Sequence, residues 1–140
     1  MNKVDHPDIV ELIPQKAPFV MVDKLLDVKE DSVTSSFKIL KDNLLIKDGK
    51  FQESGLIENI AQTAAAMSGY HRKLSGKAAE TGFLGAVKNL LVYKLPEVDS
   101  CLTTEVTLEH RVMDVNLIKG HIRQGDTLVA ECEMKVFLNV

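Results

Sequence analysis

The chain has 140 residues, 45% of them apolar and 26% charged, with a formal net charge of −3. That size suits one domain with one core, predicted to span residues 1–140. The charge leaves no basic footprint for nucleic acid, and no apolar run approaches the ~18 residues that cross a bilayer.

The start, Met1 to Glu11, has neither the basic opening nor the apolar run of a secretory signal, so a cytoplasmic, non-membrane protein is expected. A short helix is predicted around Asp8 to Leu12, stopped by Pro14. Phe19 to Val28 reads as a strand rich in Val and Leu. Lys29 to Ser32 forms a turn, and Val33 to Leu40 returns as the second arm of a hairpin. Lys41 to Gln52 reads as a loop, with Asp42-Asn43 and Asp48-Gly49 as turn signals. The one long helix is predicted from Gly55 to about His71. Ser54 is its N-cap, Arg72 and Lys73 suit the negative end of its dipole, and Ser75-Gly76 stops it.

Four more strands follow: Phe83 to Tyr93, Leu102 to Val112, Leu117 to Arg123, and Leu128 to Leu138. In the second of these, Leu102, Thr104, Val106, Leu108, His110 and Val112 alternate with charged and polar residues. In the last, Leu128, Ala130, Cys132, Met134, Val136 and Leu138 alternate with Val129, Glu131, Glu133, Lys135 and Phe137. Alternation with period two buries one face of a sheet and leaves the other to solvent or a partner. Gly125-Asp126 turns the last two strands into a hairpin. Cys101 and Cys132 lack CxxC spacing and clustered histidines, so they read as small buried hydrophobes in a reducing cytoplasm. No metal and no cofactor is expected. The fold class is α+β: a curved, mainly antiparallel sheet wrapped around one central helix.

That helix carries the functional argument. From Ser54 to Tyr70 it reads SGLIENIAQTAAAMSGY, with Glu58 as its single charged residue. A helix that is apolar or small on all sides is normally buried. A lone carboxyl held away from water is costly when charged and unpaired, and such groups serve proton transfer near neutral pH. Gln62 lies one turn later on the same flank. Gly55 and Leu56 stand at the helix start, where free backbone N–H groups can hold a developing oxyanion.

Three segments carry a family resemblance. Leu12 to Asp23, LIPQKAPFVMVD, is similar to the "LPHRxPFLLVD" segment of FabZ-type enzymes. Glu58-Asn59-Ile60-Ala61-Gln62 matches "ExxAQ" on their central helix. Gly82-Phe83-Leu84-Gly85 resembles the glycine-containing strand that follows. The chain thus resembles the FabA/FabZ-type 3-hydroxyacyl-carrier-protein dehydratases. The resemblance implies a hot-dog fold, elimination of water from a 3-hydroxyacyl thioester, and acyl tunnels at a dimer interface. It implies Glu58, Gln62 and Gly55 as catalytic residues and Leu56, Phe83 and Gly85 as substrate-binding ones. The partners implied are an acyl carrier protein or a CoA thioester, and a second copy of the chain. A larger assembly and a heterodimer of hot-dog chains are the alternatives.

The chain departs from the pattern at a telling place. In that family a loop His pairs with the helix acid, but here Lys50 stands in its position within Gly49 to Gly55, and the loop is shorter. Gln15 replaces another common His, and Ser100-Cys101 replaces Gly-Asp. A short loop before the helix is also found in the FabZ-like dehydratases of aryl-polyene and flexirubin-type pigment clusters, which the chain resembles. Of its own histidines, His6, His71 and His121 read as terminal, helix-end and solvent-facing, and His110 as lying on an apolar face. A hot-dog thioesterase and a non-catalytic subunit paired with a His-bearing homologue are the competing readings. Lys50, Arg72, Lys73 and Lys88 are the basic candidates for meeting an acidic carrier.

Overall fold

The computed structural model describes residues 8–77 and 81–139, the side chains of residues 81–83, 138 and 139 excepted. A 3-10 helix, Ile9–Glu11, opens the described chain within the span where a short helix was expected. The hairpin of β1 (Lys24–Val28) and β2 (Ser32–Lys38) follows, closed by Lys29 N–H donating to Ser32 O at 2.8 Å. The predicted loop contains a two-residue hairpin, β3 (Ile46–Lys47) with β4 (Lys50–Phe51). Its turn residues, Asp48 and Gly49, both take positive φ, 54° and 74°. Helix α1 (Glu53–Leu74) crosses next, then β5 (Thr81–Val92), β6 (Cys101–Val112), β7 (Val115–Gln124) and β8 (Thr127–Asn139).

Six strands form one sheet in the order β1-β2-β6-β7-β8-β5, and every pairing is antiparallel. The inner face carries Val33, Phe37, Leu102, Val106, Ile118, Ile122 and Met134, packed against Leu56, Ile60 and Met67 of α1. The helix approaches β7 closely at Gly120, where an added Cβ would fall at 2.5 Å from Cγ2 of Ile60. This is the hot-dog arrangement that the resemblance implies.

Several expectations are corrected. The first strand begins at Lys24, not Phe19, because side chains of α1 occupy the backbone groups of Phe19 and Met21 in place of a strand partner. The helix starts two residues early, at Glu53. Its N-cap is Gln52, whose side chain makes no capping bond and instead donates to Lys47 O (3.1 Å) and Lys50 O (2.9 Å). Ser54 therefore lies inside the first turn. The sheet buries one side of α1 rather than sheathing it; Ile57, Glu58, Ala61, Ala65 and Ser68 remain half-buried. In β6 a register shift between Leu108 and His110 breaks the alternation, so His110 and Val112 are exposed. Of the thiols, Cys132 is buried at 3% exposure, but Cys101 is exposed.

Candidate active site

Glu58 and Gln62 share one flank of α1, a turn apart. Gln62 is fully buried, and every polar atom of its amide is used. Oε1 accepts from Met21 N–H at 2.7 Å, which fixes which end of the amide is oxygen. Nε2 then donates one hydrogen to Phe19 O and the other to Glu58 Oε2, both at 2.9 Å. Oε2 of Glu58 is thereby committed as an acceptor, and Oε1 is the carboxyl oxygen that Gln62 leaves unbonded. Glu58 itself is half-buried, held by an amide and not by an arginine.

Beneath this pair runs a buried polar network that the sequence reading missed. Asn59 is fully buried; its Nδ2 donates to Met21 O (2.7 Å) and its Oδ1 accepts from Thr104 Oγ1 (2.5 Å). Thr63 Oγ1 donates to Asn59 O (2.7 Å) and lies 2.8 Å from Ser35 Oγ. A threonine hydroxyl has one hydrogen, so Ser35 is the donor in that contact. Two strands and the 19–21 segment are thus pinned to the helix by side chains alone. The available signal was the four-residue spacing of Asn59 and Thr63, which puts polar groups on the face of Leu56, Ile60 and Met67.

The other expected site residues fall in different places. Gly55 N–H is not free: it donates to Gln52 O at 2.9 Å, and Leu56 N–H donates to the same oxygen at 3.1 Å. The first-turn amides without an intrahelical acceptor are those of Glu53 and Ser54. A Cβ on Gly55 would strike the Phe51 ring, so glycine is required here by packing. Leu56 is fully buried in the core rather than lining an open site. Gly85 sits at a register shift in β5, against the ring of Phe137. The side chain of Phe83 lies outside the described residues, as does His6.

No described histidine is bonded to Glu58. His71 Nε2 lies 3.0 Å from Lys29 O, 13 residues further along α1 and hence ~20 Å away along its axis. His121 sits between Glu105 and Glu131 in register, on the outer face, since its neighbours Gly120 and Ile122 face the core. The basic candidates do not form one patch: Lys50 lies before the start of α1 and Arg72 and Lys73 at its end. Lys73 is paired with Glu11 at 2.7 Å, and Lys88 stands opposite Glu133 on β8. Among the described residues no three His, Cys, Asp or Glu side chains cluster as a metal would need, and no helix is long and apolar enough to cross a membrane.

A family model described as ApeP-like, ApeP dehydratase, matches residues 7–139. Among curated proteins, the 3-hydroxyacyl-[acyl-carrier-protein] dehydratase FabZ of Methylobacterium radiotolerans is 25% identical over 144 aligned positions, covering 99% of this chain and 91% of that protein. The FabZ of Variovorax paradoxus is 23% identical, covering 94% and 91%. Among solved structures, the dehydratase heterocomplex ApeI:P from Xenorhabdus doucetiae superposes with a TM-score of 0.89 at 20% identity, covering 96% of this chain and 93% of that one. A hypothetical thioesterase from Streptococcus pneumoniae with coenzyme A gives 0.65 at 14% identity over 82% and 84%. At these identities the structural matches establish the fold.

Proposed function

We propose, from the premise that this chain belongs to the ApeP-like dehydratase family, that it serves the elimination of water from 3-hydroxyacyl thioesters to give the 2-enoyl product. The observation that carries this reading is the Gln62–Glu58 hydrogen bond near the opening of α1, which leaves one carboxyl oxygen to handle a proton. Elimination needs a base for the proton on C2 and an acid for the departing hydroxyl on C3. Glu58 Oε1 delivers the proton to the hydroxyl, which leaves as water. Charge on the thioester carbonyl is met at the positive end of the helix, where Glu53 and Ser54 present their amides. The Gly55 amide, spent on Gln52, gives that role up and keeps a steric one.

The base is assigned to a second hot-dog chain, because no described histidine here bonds Glu58. A relative of the same fold was solved as a dehydratase heterocomplex, which supports a partner of this kind. Strand β5 offers the place for it. Among the described residues it is the outermost strand beside β8, with its other side unpaired and with Leu84 and Leu91 exposed along it, and such an edge invites pairing. A homodimer and a heterodimer both cover that edge, and the lack of a histidine at Glu58 among the described residues favours a partner that brings its own. The acyl group is carried by an acyl carrier protein, as in the names of the curated relatives, and the setting is the cytoplasm.

The test uses the purified chain, alone and with a His-bearing hot-dog partner, incubated with a 3-hydroxyacyl carrier protein. Enoyl product is expected from the pair and is lost with Glu58→Gln. Equal rates for both forms would remove Glu58 from the chemistry. Release of free carrier thiol without enoyl product would replace the reading with a thioesterase.

A further inference from the structure

A groove of about 210 Å³ opens beside the C-terminal half of α1, between the helix and β6, β7 and β8. Its floor is apolar, made by Ala64, Met67, Leu108, Ile118 and Val136. Among the described residues its rim carries Lys77 and Arg111, with Arg72 beside them and Glu30 as the carboxylate. Arg111 is anchored, its Nε donating to Oδ1 of the buried Asn116 at 3.0 Å. That bond uses one of five guanidinium donors and leaves the forked end for an acceptor.

The groove and Glu58 belong to one face of the helix. Glu58, Ala61, Ala65 and Ser68 follow one another at spacings of three and four, all half-buried, and the last two line the groove. Ser68 is ten residues beyond Glu58, ~15 Å along the axis. A thioester held at Glu58 thus has its far end directed toward an apolar trough that finishes among cations.

Resting on the dehydratase reading, we propose that this groove takes the distal end of the acyl substrate, and that this end carries an anion, of which a carboxylate is the simplest. An alkyl tail would fill the floor but strip water from the rim and return nothing for it. A carboxylate would gain charge-assisted hydrogen bonds from Arg111 and Lys77 while the chain behind it covers the floor. The volume corresponds to about seven water-sized groups at roughly 30 Å³ each, enough for a terminal segment and its head group.

The test is a binding measurement that needs no turnover. Two amide analogues of an acyl-pantetheine thioester, with chains of about a dozen carbons to span the ~15 Å, are titrated into the purified protein by calorimetry. One ends in a methyl group and the other in a carboxylate. The carboxylate form is expected to bind at least about tenfold more tightly. That preference should fall to within about twofold in Arg111→Met and in the double variant with Lys77→Met, and should shrink as salt is raised. Equal or tighter binding of the methyl form, absence of binding by both, or a preference that survives in the double variant overturns the proposal. Dehydration of plain 3-hydroxyacyl carrier protein is scored separately, so the groove can fail while the dehydratase reading stands, and the reverse.

Discussion

Gln62 donates to Glu58 across one turn of α1 at 2.9 Å, and the same amide holds the backbone of Phe19 and Met21. One buried side chain thus both holds the Glu58 carboxyl and replaces a strand partner for the segment beside it. Gln62→Met keeps the volume and removes all three bonds. It leaves Met21 N–H and Phe19 O without partners, at ~1–3 kcal/mol each. The expected outcome is a loss of about 2–5 kcal/mol in chemical denaturation, with dehydration reduced on the order of tenfold or more under conditions where the variant is folded. A variant as stable and as active as the parent would show that the bond orients nothing.

The Asn59 network predicts coupling rather than simple loss. Asn59→Leu strips partners from Thr104 and from Met21 O together, so a cost of about 3 kcal/mol is expected. Ser35→Ala and Thr63→Val each break the same hydroxyl contact. Their double variant should be less destabilised than the sum of the singles, by about 1 kcal/mol. Strict additivity in urea unfolding would mean that the two hydroxyls do not interact.

Gly69→Ala sets two effects of opposite sign against each other. Alanine favours the helix interior over glycine by ~1 kcal/mol. Here a Cβ would collide with the backbone carbonyl of Leu12, which cannot rotate away as a side chain would. Overpacking of this kind costs ~1–3 kcal/mol, so net destabilisation is expected, read as a lower melting temperature. A rise in melting temperature would show that the 12–14 segment yields freely.

The two thiols differ in chemistry. Burial, with the Glu133 charge beside it, pushes the Cys132 thiol up to about 11. Only Cys101 should react with a thiol reagent in the folded protein at mild pH, and Cys132 only after unfolding. The sign for stability follows from linkage. The folded form holds its proton where the unfolded form has lost it, so stability is intact below the ordinary thiol value of 9.0 and falls as pH rises toward about 11. In Cys132→Ala this decline should be absent; an identical alkaline profile would assign it to other groups.

The fold was largely legible because its signals are local. Alternation in β6 and β8 is set by the pleat, two residues at a time, and it placed Val106 and Met134 on the core side. It failed at His110 because a bulge turns the remainder of the strand over, and nothing in the residue types of Leu108 to His110 announces that register shift. The start of α1 was misplaced for a related reason. Ser54 has the side chain of a cap, but Gln52 takes the position because its amide is drawn to the carbonyls of the β3–β4 hairpin.

By itself the sequence determined that an antiparallel sheet would face one helix, and that Glu58 would be the single charged residue between Ser54 and Tyr70, since both follow from periodicity and composition within short windows. Tertiary structure alone decided what that acid would touch. Gln62 reaches Phe19 and Met21, Asn59 reaches Thr104, and Thr63 reaches Ser35 across separations of 28 to 45 residues. Hydrogen bonds between groups so far apart in the chain depend on how the helix is docked and rotated against the sheet. That rotation is set by the packing of the whole core, at contacts such as Ile60 against Gly120.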